Sequence, residues 1–236
     1  MRNLLETFEE DMKSWLEISE FLRRYEEVHS YIRRDQDGIK NFRLGKGCLK
    51  KFRDELTPCK RFIKTHQEQY VQIRSPLNSI YPDCFVKDRN GSEKEIEITI
   101  TQGAERTVLM QELNEKGDGI GFMGLTDEEP YAAHREAMKL EAMEQHQSAY
   151  STEQAIQCAV KSIHICVKKK NKPRADGLVR RRDILLIEHH LLTLSLANWK
   201  VNMSKLKKAA QSSEFREVYL VGLTGECGDT CWPLKS

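Results

Sequence analysis

Apolar residues recur at steps of three, four or their multiples near the start of the chain. Leu5, Phe8, Met12, Trp15, Leu22, Tyr25 and Ile32 are separated by Glu, Lys and Arg, which predicts one amphipathic helix over residues 2–34. The run RDQDG ends that pattern. A second helical pattern covers 49–70, bent near Pro58, whose ring cannot continue a regular helix. From Ser75 the texture changes to β-branched and alternating residues. Segments 84–88 and 94–101 read as two strands around DRNG. A glycine-rich loop at 115–130 follows, then a helical stretch, AAHREAMKLEAMEQH. The next helix, 152–168, has Ser151 as its cap and Gln154 as the reciprocal partner of a capping box. A basic turn with Pro173 and Gly177 leads to DILLIEHHLLTL and EVYLVGL. Both read as buried strands, with a helical alternative from Leu191 onward.

This order predicts an α/β (α+β) fold, a mixed central sheet flanked by helices. Residues 1–72 form a helical N-terminal region and 73–236 the α/β core. The N-terminal helices are long enough either to cover the core or to pair with a second copy as a homodimer, and the pattern does not choose between these.

The strand 94–101 carries the most informative alternation. Ile96, Ile98 and Ile100 share one side; Glu95, Glu97, Thr99 and Thr101 share the other. The isoleucine side packs on a core. The register across the turn decides what the acidic side meets. A two-residue turn at Asn90-Gly91 would put Asp83 opposite Ile98. A three-residue loop, Arg89-Asn90-Gly91, puts Asp83 opposite Glu97. Asp88 suits the first position of a type I turn and Gly91 the left-handed position that closes a three-residue loop, so the local chemistry favours the second. Facing carboxylates repel unless one is protonated or a cation sits between them. Mg²⁺ suits such a place, because it takes one or two carboxylates and fills its shell with water and phosphate oxygens.

Composition narrows the classes. With 39 % hydrophobic and 31 % charged residues, and no apolar run of membrane-spanning length, the chain reads as globular, not embedded in a membrane, and cytoplasmic. The acid-rich N-terminus is no signal segment. Seven scattered cysteines do not form a disulfide framework. Cys227 and Cys231 are the only close pair, a zinc half-site only if His189 and His190 complete it. The net charge is +2, yet Lys168, Lys169, Lys170, Lys172, Arg174, Arg180, Arg181 and Arg182 lie within fifteen residues, a candidate phosphate-contacting patch. Gly119, Gly121 and Gly124 satisfy G-x-G-x-x-G, but the polar QELNEKGD before them is not the buried strand that a dinucleotide fingerprint follows. No G-x-S-x-G elbow is present.

Pro82-Asp83, followed by Glu97 on the next strand, resembles the PD-(D/E)xK, or restriction-endonuclease-like, nuclease superfamily. The resemblance spans about residues 75–190. It implies that Asp83 and Glu97 hold Mg²⁺ (or Mn²⁺), helped by the Ile98 carbonyl, with Glu95 as an outer-shell acid or alternate ligand. The family's strand lysine falls at Thr99, a departure that leaves the cation to be found elsewhere. Some members carry it on the following helix, where Gln157, Lys161, His164 and Lys168 share one face. Lys161 is then the expected replacement, assisted by Gln157 and Thr99. The implied activity is metal-dependent cleavage of DNA or RNA. The alternative is a catalytically inactive nuclease-fold protein that binds nucleic acid or another protein.

Overall fold

The computed structural model of the chain describes residues 2–76, 82–117, 126–128, 151–173 and 181–236. Its centre is a seven-stranded mixed sheet whose strands lie in chain order. The strands are β1 (Leu16–Glu17), β2 (Tyr70–Arg74), β3 (Cys84–Asp88), β4 (Glu93–Ile100), β5 (Ile184–Glu188), β6 (Glu217–Thr224) and β7 (Gly228–Lys235). Pairing is antiparallel from β1 to β4, parallel across β4, β5 and β6, and antiparallel again between β6 and β7. Parallel neighbours need long crossovers. Here they contain helices: α6 (Gly103–Lys116) and α7 (Thr152–Asn171) between β4 and β5, α8 (Leu196–Val201) and α9 (Met203–Ala210) between β5 and β6.

Each face of the sheet has its own apolar layer. One is built from α1 (Arg2–Met12), α2 (Ile18–Arg34), the helical stretch 49–65 and Ile73, Val86, Ile96, Ile98, Ile184 and Leu186. The other packs α7, α8 and α9 on Leu185, Ile187, Val218 and Leu220. The isoleucine side of β4 therefore meets the N-terminal helices, as the alternation required. The expected division at residue 72 is not a division of the core, because β1 and β2 belong to the sheet and the first layer runs through both regions. The apolar stripes of α1 and α2 are spent on covering that sheet.

Several elements differ from expectation. The single helix over 2–34 is two helices, interrupted where Leu16 leaves to pair with Ile73; the apolar spacing continues through the break, so periodicity could not reveal it. RDQDG holds a helix start instead of a plain break: the Asp35 side chain accepts from Asp37 N and Gly38 N and opens α3 (Gln36–Leu44). The stretch 49–65 comprises α4 (Leu49–Lys51), a π-helical turn (Phe52–Leu56) and α5 (Thr57–Thr65). Tyr70, expected to end a helix, begins β2. Residues 103–116, expected partly as loop, form α6. The Gly119–Gly121–Gly124 pattern and the expected helix 132–146 lie outside the described residues.

The hairpin follows the three-residue loop. Cys84 faces Ile96 and Lys87 faces Glu93, and Gly91 takes φ +81°, where a side chain would be strained. Asp88 Oδ1 accepts from Asn90 N and Ser92 N at 2.8 and 2.9 Å, so the turn is tied by the residue that starts it. Ser151 and Gln154 make the full capping box on α7.

Candidate active site

β3 stops short of β4. Its last paired residue toward the fork is Cys84, opposite Ile96, while β4 continues to Ile100 alongside β5. Extending the register by one places Asp83 opposite Glu97. Asp83 does not pair as backbone; its carboxylate accepts the Ile98 N–H at 2.7 Å, so a side chain replaces the missing ladder bond where the two strands part. The Asp83 carbonyl accepts from Ser75 Oγ at 2.7 Å, which fixes the residue from its other end.

Glu97 points to the α7 face and is 2 % exposed. The Lys170 ammonium lies 2.5 Å from its Oε2. On the same face Thr99 Oγ1 is 3.7 Å from Cys166 Sγ. Cys166 and Lys170 are one helical turn apart, so both meet β4. Lys161 does not. It is nine residues before Lys170, half a helical revolution away, and with Gln157, His164 and Lys168 it faces solvent. Gln157 bonds Glu153 on its own helix. The cation at Glu97 is thus Lys170, from the flank Cys158–Ser162–Cys166–Lys170, and the expected roles of Lys161 and Gln157 are corrected accordingly.

Glu55 completes the group from the other layer. Burial, and next the Asp83 charge, push its carboxyl up to about 7, while Lys170 acts in the opposite direction. Glu55 therefore sits within electrostatic reach of both Asp83 and Lys170. It is carried on the π-helical turn Phe52–Leu56, where the Thr57 N–H bonds back to the Phe52 carbonyl; such turns often occur at functional sites. Its position in FRDEL gives no sequence signal, because the helical stretch 49–65 carries charged residues throughout.

A carboxyl that holds its proton more tightly when folded stabilises the fold below its unfolded pKa of 4.5, and that contribution disappears as pH rises through about 7. Glu55→Gln is accordingly expected to flatten the decline between pH 5 and 8 and, discounted for partial exposure, to gain about 1–3 kcal/mol at pH 8 relative to the natural chain. Urea midpoints of both proteins in EDTA at the two pH values check this; parallel pH profiles would contradict it.

The remaining expected site residues separate. Glu95 accepts from Arg181 N at 3.3 Å, toward the other end of the sheet from the fork. Arg181 also bonds the Glu93 carbonyl and pairs with Asp183, and Arg182 pairs with Glu214 and bonds the Asn171 carbonyl; both arginines tie the chain entering β5. Lys168, Lys169 and Lys172 are exposed, whereas Lys170 is engaged by Glu97. Arg174 and Arg180 lie outside the described residues. The zinc alternative is not supported: Cys227 lies in the β6–β7 turn, Cys231 on β7, and His189 is buried with its Nδ1 2.7 Å from Thr101 Oγ1.

Asp83 and Glu97 offer carboxylate oxygens, which suit Mg²⁺ or Mn²⁺ and not a soft metal. Among the described residues no three His, Cys, Asp or Glu side chains are already grouped as a metal cage. Mg²⁺ asks for less, since one or two carboxylates suffice when water completes the shell. The donor chemistry fits. Compared with known proteins, the chain matches no family model, no curated protein and no solved structure.

Proposed function

We propose that the chain is a metal-dependent nuclease of restriction-endonuclease-like architecture, acting on phosphodiester bonds at the β3–β4 fork. The observation that carries this reading is the pairing of Lys170 with Glu97 beside Asp83. Lys170, reaching β4 from α7, would supply the cation that position 99 lacks. Asp83 and Glu97 would hold Mg²⁺ or Mn²⁺, with the Ile98 carbonyl alongside. When bound, such an ion activates a water and offsets charge on the attacked phosphate.

The protein's own groups have distinct parts. Lys170 pairs with Glu97 in a buried setting and would place positive charge where a phosphoryl oxygen gains negative charge. Glu55, with a carboxyl close to half-ionised near neutrality, can accept a proton from water. Exposed Lys168, Lys169 and Lys172 extend the positive charge along the end of α7 and would add salt-sensitive affinity for a nucleic-acid backbone.

One observation favours a second reading. Glu97 and Asp83 already have partners in Lys170 and the Ile98 N–H, which is compatible with a binding module that does not cut. Digestion of labelled single- and double-stranded DNA and RNA with Mg²⁺, Mn²⁺ or EDTA separates the two. Cleavage with metal, abolished by EDTA and reduced at least a hundredfold in Glu97→Gln, is the expected result. Binding without cleavage in every metal would replace the nuclease by the binding module.

A further inference from the structure

Beyond the carboxyl ends of the parallel strands β4, β5 and β6 lies a cavity of about 310 Å³. This is where open α/β sheets commonly place ligands, and the volume is at the small end for ligand pockets, room for one compact molecule and not for a length of polymer. Its polar side is Arg61, Arg106, Glu188 and His190; Leu109 and Met110 from α6 contribute to its apolar side.

The charges are built in. Glu188 is 6 % exposed and clamps two guanidinium groups, Arg61 at 2.5 Å through Oε1 and Arg106 at 2.8 Å through Oε2. Arg61 is 7 % exposed and also reaches Asp229 at 3.3 Å, which in turn pairs with Lys60 and Lys64. The bonds to Glu188 and Asp229 use Nη1 and Nε of Arg61 and Nη1 of Arg106. Each guanidinium carries five N–H donors, so both enter the cavity wall with donor capacity beyond these bonds. Four cations, Arg61, Arg106, Lys60 and Lys64, outnumber the three carboxylates that pair with them, Glu188, Asp229 and Glu26, and planar guanidinium groups favour phosphate oxygens. Next to that wall, His190 is kept neutral, its pKa pushed down to about 4 by burial and by Arg106. Leu109 and Met110, about one turn along α6 from Arg106, suit the flat, apolar face of a base.

We propose that this cavity binds a single nucleoside monophosphate unit, its phosphoryl group on Arg61 and Arg106 and its base against Leu109 and Met110. This rests on the nuclease reading for the source of the unit: the phosphorylated end of a strand being processed, with a free nucleotide as the other source of the same chemistry. Ile100 and Thr101 line the cavity and follow Glu97 by three and four residues, roughly 10 Å along the strand. One strand end can therefore reach both places.

Calorimetric titration of adenosine monophosphate and of adenosine into the full chain, without metal, tests the phosphoryl contact. The monophosphate is expected to bind at least tenfold more tightly. Arg106→Gln should remove most of that preference, and Met110→Trp should block both ligands while leaving the charges in place; circular dichroism confirms that each variant is folded. Oligonucleotides ending in phosphate or hydroxyl, offered in competition, identify the source. Preference for the phosphorylated ends assigns the site to strand termini, and binding of the free monophosphate alone assigns it to a nucleotide ligand. Equal binding of adenosine and its monophosphate, or no binding of either, overturns the proposal. Nucleotide binding in a protein that cuts nothing would sink the nuclease and keep this pocket, whereas metal-dependent cutting with no nucleotide binding would do the reverse.

Discussion

Lys170→Met is expected to destabilise the protein by about 3–5 kcal/mol, the range for removing one partner of a buried pair. Glu97 is almost completely enclosed between β4 and α7, and Lys170 is its cation at 2.5 Å. Methionine keeps the length and apolar contacts of the lysine stem, so the loss reports the stranded carboxylate and not a cavity. The double variant Lys170→Met/Glu97→Gln removes both charges and is expected to recover most of that loss, since deleting a pair together is far milder than breaking it. Urea unfolding of the three proteins at pH 7 in EDTA measures the coupling. A loss below about 1 kcal/mol in the single variant, the ordinary value of an exposed pair, would mean that Glu97 finds its stabilisation elsewhere.

The second large effect is expected at Glu188. Its side chain is the shared acceptor of Arg61 and Arg106 at the end of β5. Glu188→Ala leaves two guanidinium groups without their carboxylate and is expected to cost about 3–5 kcal/mol. Glu188→Gln keeps the shape and one acceptor oxygen and is expected to cost less. The contrast between Ala and Gln isolates the charge from the packing. Equal losses in the two variants, measured by urea midpoint, would show that charge alone carries the effect and shape none of it, and a loss below about 1 kcal/mol in Glu188→Ala would show that the buried cations are satisfied by Asp229 and by solvent from the cavity.

Much of the local design was legible because it is chemically short-range. Asp88 and Gly91 fix a three-residue loop, which sets the register and brings Asp83 to the level of Glu97. The alternation in 94–101 assigns the isoleucines to one layer, and Ser151 with Gln154 marks the start of α7. What could not be read depends on distant parts of the chain. Leu16 becomes a strand only because Ile73 is there to pair with it. β7 was hidden because Pro233 argues against a strand, yet an edge strand tolerates proline. CGDTC, moreover, drew attention as a ligand pair. On α7 the core stripe was clear, but it has two flanks. The flank with Gln157 and Lys161 faces water; the opposite flank, Cys158, Ser162, Cys166 and Lys170, with smaller residues at steps of four, is turned inward, and its Cys166 and Lys170 meet β4. The compact side chains were the available signal. Glu55 had none, because its place beside Asp83 exists only once the N-terminal layer docks on the sheet.

Direct titration of Mn²⁺ into the metal-free chain, followed by calorimetry or by the paramagnetic signal of the free ion, tests the central claim most closely. The account predicts binding that requires Asp83 and Glu97 together: saturable in the natural protein, weakened at least tenfold in Asp83→Asn and in Glu97→Gln, and unaffected in Lys161→Ala. No binding by the natural protein, or equal binding by all four chains, would contradict it.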